Sequence, residues 1–341
     1  MSTNFPTAAS TVAAIGAGIN IGNSFDANGV YTGADLSRFE TQWGEPPVTK
    51  DLIRTFKAAG FNAVRLPVTY KHHFDDDGVI DPAWLDRVGE VIDDILSEGL
   101  FCITNIHHDG GEGSWVVSSK AGFESKGELF GYLWSQIADR FRSFDSRLLF
   151  EGINEPINEK REWLANDPDS VLGTYLFNQR FVDAVRASGG SNAERNLIVM
   201  PYAGSGTQGR LDTFELPKDT TKDHLILEVH NYDPQGFCWY KAIGQQLRDT
   251  WGDDADLSQI EYFSSLMKSA MDRLGVPAIV GEYGSQDKKN TPERAKQAGA
   301  FVNAMRKIGV KCFWWECGAF SLIDRRENRV RFPEIVKAIT C

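Results

Sequence analysis

The sequence predicts an α/β protein that folds as a (β/α)8 TIM barrel, in a single domain over residues 1–341. The main observation is a short apolar run suited to a β-strand, which recurs eight times with longer, mostly amphipathic segments between the runs. No glycine-rich phosphate-binding loop (GxGxxG, or GxxxxGK followed by Ser or Thr) comes after the first run, which argues against a doubly wound sheet. No Ser/Thr/Pro-rich linker marks a domain boundary. Because barrels of about 250 residues or more form one domain, the length fits this fold.

The predicted strands and helices alternate along the chain. We expect strands at residues 19–21, 63–68, 101–106, 148–153, 197–202, 225–229, 278–281 and 311–315. We expect helices at residues 50–59, 84–97, 129–144, 171–187, 260–274 and 292–308. The last helix is expected to have Thr291 as its N-cap and Pro292 at its first position. Residues 203–223 show little helical pattern and are expected to be mostly loop.

Composition excludes several classes of protein. Apolar residues make up 42% of the chain and include 21 Phe, which is enough to build a large core and excludes disordered and fibrous classes. The formal net charge is −11, and the 36 basic residues are scattered, so neither nucleic acid nor a membrane surface is an expected partner. No run of about 18 apolar residues predicts a membrane span.

The residues leave the cellular compartment open. The first five, MSTNF, lack the charged and apolar regions of a signal peptide, which leaves a cytosolic protein or a mature secreted domain without its leader. The five cysteines form no CxxC pair, and we expect one disulfide at most, with Cys312 and Cys317 near each other. No Asn-x-Ser/Thr acceptor for a glycan occurs.

Polar and aromatic residues are concentrated at the ends of six predicted strands. In a barrel of this kind, the C-terminal ends of the strands carry the chemistry. Each residue alone can be read as a structural ion pair or a turn residue, but burying several charges together is costly unless they are paired or functional. Their joint occurrence favours an active site. The residues are Arg65; Asn105, His107, His108 and Asp109; Asn154 and Glu155; His230, Asn231 and Tyr232; Glu282 and Tyr283; and Trp314, Trp315 and Glu316.

Two of these residues, Glu155 and Glu282, suggest a mechanism. They follow the fourth and seventh predicted strands and would face each other across the mouth of the barrel. Two carboxyl groups about 5 Å apart are the arrangement that hydrolyses a glycosidic bond with retention, whereas a wider gap means inversion. Retention needs one ionised and one protonated carboxyl group. Arg65 favours an ionised neighbour, and Tyr232 can hydrogen-bond to the same carboxylate.

Tryptophans in the predicted loops and at strand ends suggest a sugar-binding cleft, because the apolar faces of sugar rings pack on aromatic side chains. Any one of them is more often a core residue. The candidates are Trp43, Trp115, Trp239, Trp251, Trp314 and Trp315. Three further tryptophans lie in helix-like segments and are expected to be core or helix-packing residues: Trp84, Trp134 and Trp163.

Six blocks in order resemble glycoside hydrolase family 5, the cellulase family, and the match covers nearly the whole chain. A single NEP motif is common by chance, whereas six blocks in order are highly specific. The blocks are IGNSFD (21–26) with TQWG (41–44), AGFNAVRLPV (59–68), NIHHD (105–109), FEGINEP (150–156), EVHNY (228–232) and VGEYG (280–284). The spacing and the WGEP loop are most similar to endo-β-1,4-glucanases of subfamily 4. Residues 315–318, WECG, depart from the family's Asp-Asn-Gly after the tryptophan, and residues 18–20 lack a tryptophan often seen there.

The resemblance implies Glu155 as the acid/base, Glu282 as the nucleophile and Asn154 as the residue that holds the sugar 2-hydroxyl. It also implies supporting or binding roles for Arg65 and Tyr232 beside the nucleophile, His107 and His230 beside the cleavage point, and Trp315 as the stacking platform, with Trp314 a weaker candidate. Asn23, Trp43 and His108 lie in matched blocks and are further candidate substrate-binding residues.

The expected activity is retaining, endo-acting hydrolysis of β-1,4-glucosidic bonds in neutral glucans: cellulose derivatives, mixed-linkage β-glucan and xyloglucan. We expect a secreted, extracellular monomer that needs no cofactor and no metal. An endo-β-1,4-mannanase of the same clan is the alternative specificity. Two other classes stay open: a non-catalytic carbohydrate-binding barrel, which would normally have lost one carboxylate, and a metal-dependent barrel hydrolase using His107, His108, Asp109 and His230.

Overall fold

A computed structural model of the chain describes residues 5–29, 35–110, 114–165, 167–241 and 244–341. Eight parallel strands in these ranges close into a barrel in sequence order, and the last strand pairs with the first. The predicted (β/α)8 barrel is therefore confirmed. The strands are β1 (Ala17–Asn20), β2 (Phe61–Leu66), β3 (Phe101–Asn105), β4 (Leu148–Glu151), β5 (Leu197–Val199), β6 (Leu225–Asn231), β7 (Ala278–Tyr283) and β8 (Lys311–Trp314). A short antiparallel pair, β9 (Ile323–Asp324) and β10 (Arg329–Val330), follows β8.

Helices lie between the strands and at both termini. They are α1 (Ala8–Ala14), α2 (Ser37–Thr41), α3 (Lys50–Ala58), α4 (Pro82–Ser97), α5 (Lys120–Arg140), α6 (Pro168–Ala187), α7 (Gln208–Thr213), α8 (Gln235–Cys238), α9 (Asp254–Leu274), α10 (Thr291–Lys307) and α11 (Pro333–Thr340). No helix within the described ranges has both the length and the apolar character needed to cross a membrane.

Two predicted helices begin more than one turn earlier than their apolar periodicity indicates. Helix α5 starts at Lys120 rather than residue 129, and α9 at Asp254 rather than residue 260. The side chains of Ser119 and Asp253 accept backbone N–H groups of these first turns, so capping extends each helix over polar residues.

The predicted N-cap of α10 is wrong by one residue. Asn290 is the N-cap and Thr291 is the first helical residue, so Pro292 occupies the second position. Proline is tolerated there because the N–H groups of a first helical turn have no partner within the helix. Residues 203–223, predicted to be mostly loop, contain the single short helix α7.

The half of the barrel interior toward the N-terminal ends of the strands is apolar. Side chains from seven strands meet there, and Ala8, Val12 and Ile15 pack against them, so α1 closes this end of the barrel. Gly18 in β1 is needed for close packing, because a Cβ at this position would lie 2.2 Å from Cδ1 of Phe313. The seven strand residues are Ala63, Ile103, Leu149, Ile198, Ile226, Ile279 and Phe313.

The tryptophans predicted to be structural divide into two groups. Trp84 and Trp134 are fully buried, and Nε1 of Trp134 donates to the carbonyl of Gly152 at 2.9 Å, so these two are confirmed as core residues. The prediction for Trp163 is wrong, because it is 43% exposed in the loop between β4 and α6. Helix α6 begins only at Pro168, so no helix carries Trp163 into the core. All five cysteines are free.

Candidate active site

Arg65 of β2 is the centre of a polar layer, which lies next to the apolar half of the barrel on the side of the C-terminal strand ends. Its side chain is fully buried and binds four residues that lie on three other strands, β1, β4 and β7, or just beyond them. Nε and Nη2 donate to the two oxygens of Glu151 at 2.6 and 2.7 Å. Nη1 donates to Oε1 of Glu282 at 2.7 Å and to Oδ1 of Asn20 at 2.9 Å, and Nη2 donates to Oδ1 of Asn154 at 2.8 Å. A buried guanidinium with this many acceptors fixes all of them in place.

Glu282, near the end of β7, is held as a carboxylate. Oε1 accepts from Arg65, and Oε2 accepts the hydroxyl of Tyr232 at 2.9 Å. Burial alone would raise the pKa of Glu282, but the charges of His230 and Arg65, together with these hydrogen bonds, hold the pKa below its usual value. The side chain is only 7% exposed. The protein therefore presents an oriented anion at the barrel mouth.

Glu155 lies four residues beyond the last residue of β4 in a strained backbone conformation. Its φ is +40°, in the left-handed region, and Pro156 follows it. Such strain persists at functional sites where the surroundings impose it. Gly204 leaves room for the side chain, because a Cβ there would lie 3.3 Å from Cγ of Glu155. The carboxyl group is 22% exposed, and Oε1 lies 2.7 Å from Nδ1 of His230.

The two glutamates come close together across the barrel. One carboxylate oxygen of Glu155, one of Glu282 and a ring nitrogen of His230 all lie within 4.8 Å of one another. Carboxyl groups about 5–5.5 Å apart serve retaining glycosidases, whereas inverting enzymes have a gap of about 6.5–9.5 Å. A parallel barrel with two carboxylates at this short separation is typical of retaining glycoside hydrolases.

A row of aromatic rings leads from Glu282 toward solvent. His107 lies with Nε2 4.0 Å from Oε1 of Glu282, and its ring stacks parallel to Trp315 with centroids 5.8 Å apart. The centroid of His108 is 4.5 Å from that of His107, and the centroid of Trp43 is 5.4 Å from that of His108. Trp315 is 9% exposed and Trp43 is 39% exposed. The rings form a continuous row, the aromatic wall, which begins beside the carboxylate of Glu282 and ends at the exposed Trp43.

The remaining predicted site residues lie beside these groups. Asn154 is 2% exposed, and because its Oδ1 accepts from Arg65, its amide N–H groups are directed elsewhere. Asn23 has φ of +59°, and its N–H donates to Oδ2 of Asp26, a carboxylate 3.9 Å from Nε2 of His108. The structure thus brings together the eleven residues for which the family resemblance implies a catalytic, supporting or substrate-binding role.

The other tryptophan candidates have different positions. Trp239 packs on Tyr232 with ring centroids 5.0 Å apart, so it contacts the site through the residue that binds Glu282. Trp115 donates Nε1–H to Asp109 at 2.6 Å. Trp251 and Trp314 are 5% and 0% exposed and belong to the main core, so their selection as cleft residues is wrong. Successive side chains alternate across a strand, which turns Trp315 to the cleft and Trp314 away from it.

Sequence reasoning missed two carboxyl groups of the polar layer, Glu151 and Glu228. Both are fully buried. Glu151 also accepts from Nδ2 of Asn105 at 2.7 Å, and Oε1 of Glu228 lies 3.4 Å from Nε of Arg65. A charged residue within an otherwise apolar strand is the available signal. It identified Arg65, and it is equally present at both glutamates.

Potential metal ligands occur in two groups among the described residues. One is Glu155, His230 and Glu282; the other is Asp26, His107 and His108. Asp26 already accepts the N–H groups of Asn23 and Ser24, at 3.0 and 2.7 Å. The four residues of the metal-dependent alternative, His107, His108, Asp109 and His230, do not form such a group among the described residues, and Asp109 already accepts from Tyr70 N–H and Trp115. The expectation that no metal takes part stays a prediction.

Comparisons with known proteins agree with this geometry. A family model described as cellulase (glycosyl hydrolase family 5) matches residues 25–321. Endoglucanase A from Clostridium longisporum is 34% identical, over 98% of this chain and 65% of that protein. A xyloglucan-specific endo-β-1,4-glucanase from Bacteroides ovatus is 37% identical, over 79% of this chain and 55% of that protein. The solved structure of a GH5-4 broad-specificity endoglucanase from Ruminococcus champanellensis with bound cellotriose is 30% identical, with a TM-score of 0.92 and 100% of each chain covered.

The fold, the paired carboxylates and these matches define a glycoside hydrolase. The chain belongs to glycosyl hydrolase family 5, as the resemblance of its sequence blocks predicted. It spans 65% of the length of the Clostridium longisporum enzyme.

Proposed function

We propose that this protein is an endo-β-1,4-glucanase that cleaves neutral β-glucans with retention of configuration. The observation that carries the proposal is the approach of Glu155 and Glu282 to within 4.8 Å, with unlike surroundings. Retention in two displacements needs a permanently ionised group on one side of the scissile bond and a proton donor on the other. The two environments match these requirements.

Glu282 is the nucleophile in this proposal, and Glu155 is the acid/base. Glu282 has two hydrogen-bond donors, Arg65 and Tyr232, and a lowered pKa, all of which favour an ionised carboxylate ready to attack the anomeric carbon. Glu155 is the more exposed of the two, and its neighbour His230 can exchange a proton with it. Glu155 protonates the departing sugar oxygen and then activates water for the second displacement.

The surrounding residues bind the sugar on the side of Glu282. Asn154 has its oxygen engaged by Arg65, so its amide N–H is the natural donor to the 2-hydroxyl of the sugar being cleaved. Trp315 stacks on the sugar ring, and His107 borders the same position. Trp43, with Asn23 and His108 nearby, extends the aromatic wall to the next subsites.

Neutral glucans are the substrates favoured by charge and by the relatives. The net charge of −11 slows encounter with polyanions such as pectin. The names of the relatives include a xyloglucan-specific endoglucanase and a broad-specificity endoglucanase, which supports mixed-linkage β-glucan, xyloglucan and soluble cellulose derivatives. We infer an extracellular enzyme, because polymeric glucans are too large to enter a cell. We also infer a monomer, because both paired glutamates come from one chain.

Product stereochemistry tests the reaction. Proton NMR of cello-oligosaccharide hydrolysis should show the β-anomer of the new reducing end first, and early α-anomer would reject retention. Initial rates on barley β-glucan, xyloglucan, neutral hydroxyethylcellulose and galactomannan, measured with one preparation, test the substrate. Galactomannan cleaved faster than all three glucans would replace the glucanase assignment with the mannanase alternative.

A further inference from the structure

Glu228 is a buried carboxyl group for which the proposed mechanism has no role. Alternation along β6 places Glu228 and His230 on the same, inward face of the strand. Glu228 is fully buried, and neither of its carboxyl oxygens has a hydrogen-bond partner among the described residues. Gly281 on the neighbouring strand β7 makes room for it, because a Cβ at Gly281 would lie 1.5 Å from Oε1 of Glu228. A buried carboxyl group with both oxygens free of such bonds is costly unless it has a function.

His230 lies directly between Glu228 and the paired glutamates. Its Nδ1 is 2.7 Å from Oε1 of Glu155 and 3.6 Å from Oε2 of Glu282. Its Nε2 is 3.5 Å from Oε1 of Glu228 and, among the described residues, has no hydrogen-bond partner. One imidazole ring thus connects a catalytic carboxyl group of the proposed mechanism to the buried carboxyl group of Glu228.

We propose that Glu228 is a positioning residue that acts through His230: its carboxyl group engages Nε2 of His230 and so keeps the Nδ1–H directed at Glu155. A carboxyl group bonded to one ring nitrogen of histidine determines the tautomer and the orientation of the ring. When Glu228 is ionised, the imidazolium donates from both nitrogens. When Glu228 is protonated, the ring is still an imidazolium, its Nε2–H donates to the carbonyl oxygen of the carboxyl group, and Nδ1–H still faces Glu155.

Ionisation of Glu228 also changes the total charge of Glu228 and His230, beside Glu155, by one unit. Burial and the charge of Glu151 raise the pKa of Glu228 to about 7, against the lowering influence of Arg65 and His230. Burial lowers the pKa of His230, but the charges of Glu282 and Glu155 outweigh it and raise the value to about 10. The groups that face the pair are Arg65 from β2, His107 beyond β3, Glu151 from β4, Glu155 beyond β4 and Glu282 from β7.

The sign of the effect follows from these charges. Below pH 7 the pair of His230 and Glu228 carries one positive charge, and above pH 7 it is neutral. Removal of that positive charge as the pH rises makes the surroundings of Glu155 less favourable to a further negative charge. Glu228 therefore extends activity toward neutral pH. With Glu228→Gln, the imidazolium has no counter-charge from this side, so the alkaline limb of the pH profile should lie at lower pH.

The test compares Glu228→Gln with Glu40→Gln. Glu40 is also buried, but it pairs with Arg87 of α4 and not with Arg65 or His230. In Glu228→Gln we expect the alkaline limb of kcat/KM on β-glucan to move about 1 pH unit lower, and the Glu40 control to keep the wild-type limb. Imidazole ¹⁵N NMR should show His230 losing its proton about 1 pH unit lower than in the wild type. The signal of His230 is assigned by its absence in a His230→Asn variant.

The outcomes distinguish this inference from the proposed function. Only the expected change in the pH profile of activity rests on the proposed function. An unchanged His230 titration together with an unchanged alkaline limb in Glu228→Gln overturns the role of Glu228. Absence of glucanase activity in the wild type overturns the proposed function, while the His230 titration still decides the contact with Glu228. If Glu228→Gln fails to fold, Glu228→Asp replaces it, and its shorter carboxyl group should lower the His230 titration by a smaller amount. A wild-type titration in that variant also overturns the inference.

Discussion

Arg65 and Glu282 are joined by a hydrogen bond of 2.7 Å between Nη1 and Oε1, and neither side chain is more than 7% exposed. The same guanidinium binds both oxygens of Glu151, so it cannot rotate without breaking two further bonds. The nucleophile of the proposed mechanism is therefore oriented and charged before a sugar arrives. Preorganised charge of this kind costs no rearrangement during the reaction.

We predict that Arg65→Met destabilises the protein in a pH-dependent way. The change leaves the carboxyl groups of Glu151, Glu228 and Glu282 close together without their cation, at a cost of about 3–5 kcal/mol near pH 8. Buried carboxyl groups without a cation bind protons at higher pH in the folded than in the unfolded state, so part of the lost stability should return at pH 5. Urea unfolding at the two pH values measures this. Arg87→Met, which removes the cation from the buried Glu40 and the exposed Glu90, is the control. Equal losses at both pH values for Arg65→Met would contradict the argument.

The different roles proposed for Glu155 and Glu282 predict that substitutions of the two residues have different effects on activity. Glu155→Ala should lose about 10³-fold or more in kcat on β-glucan, yet keep appreciable activity on an aryl glycoside whose leaving group needs no proton. Azide should restore turnover of that substrate as a β-glycosyl azide. Glu282→Ala should fail on both substrates, because no covalent intermediate forms. Glu128→Ala, at an exposed surface carboxylate, is the control. Azide rescue of Glu282→Ala to a β-azide would exchange the two roles.

The acid limb of the pH profile should depend on Tyr232. Its hydroxyl is one of the groups that lower the pKa of Glu282, and a protonated Glu282 cannot attack. Tyr232→Phe should therefore move the acid limb of kcat/KM upward by about 0.5–1 pH unit. The alkaline limb should move less, since it reports the proton donor. Rates from pH 3 to 8 on one soluble glucan measure both limbs. A downward shift of the acid limb would show that Tyr232 does not stabilise the ionised carboxylate.

Much of the barrel was predictable because each strand is a local apolar run, and parallel strands joined by helices need no long-range information to be recognised. The polar layer was harder. Arg65 and Glu151 are 86 residues apart in sequence, and only the closed barrel brings them to 2.6 Å. A lone charged residue in an apolar strand indicates that a partner exists without naming it. That signal occurs at Glu151 and Glu228 as well as at Arg65, but it does not show that the three residues share one polar layer.

Errors at helices and tryptophans have a different cause. The first turn of α5 is set by the cap at Ser119, which a search for apolar periodicity does not detect. Trp163 and Trp251 were assigned by the segments around them, yet the first is exposed and the second is buried. The burial of a large side chain depends on which element passes over it, and loops determine that element without a periodic pattern.

The last prediction concerns the outer end of the aromatic wall. Trp43 is 39% exposed and contacts the site through His108 rather than Glu282, so it should bind a sugar remote from the scissile bond. Loss of a stacking contact that contributes about 1 kcal/mol of binding free energy should raise KM for long oligosaccharides about 5-fold, while kcat stays near the wild-type value. Trp43→Ala tested on cello-oligosaccharides of increasing length should show no effect on the shortest substrate cleaved. Tyr132→Ala, at an exposed aromatic residue on α5, is the matched control. A fall in kcat that is equal for every chain length would instead place Trp43 at the cleavage point.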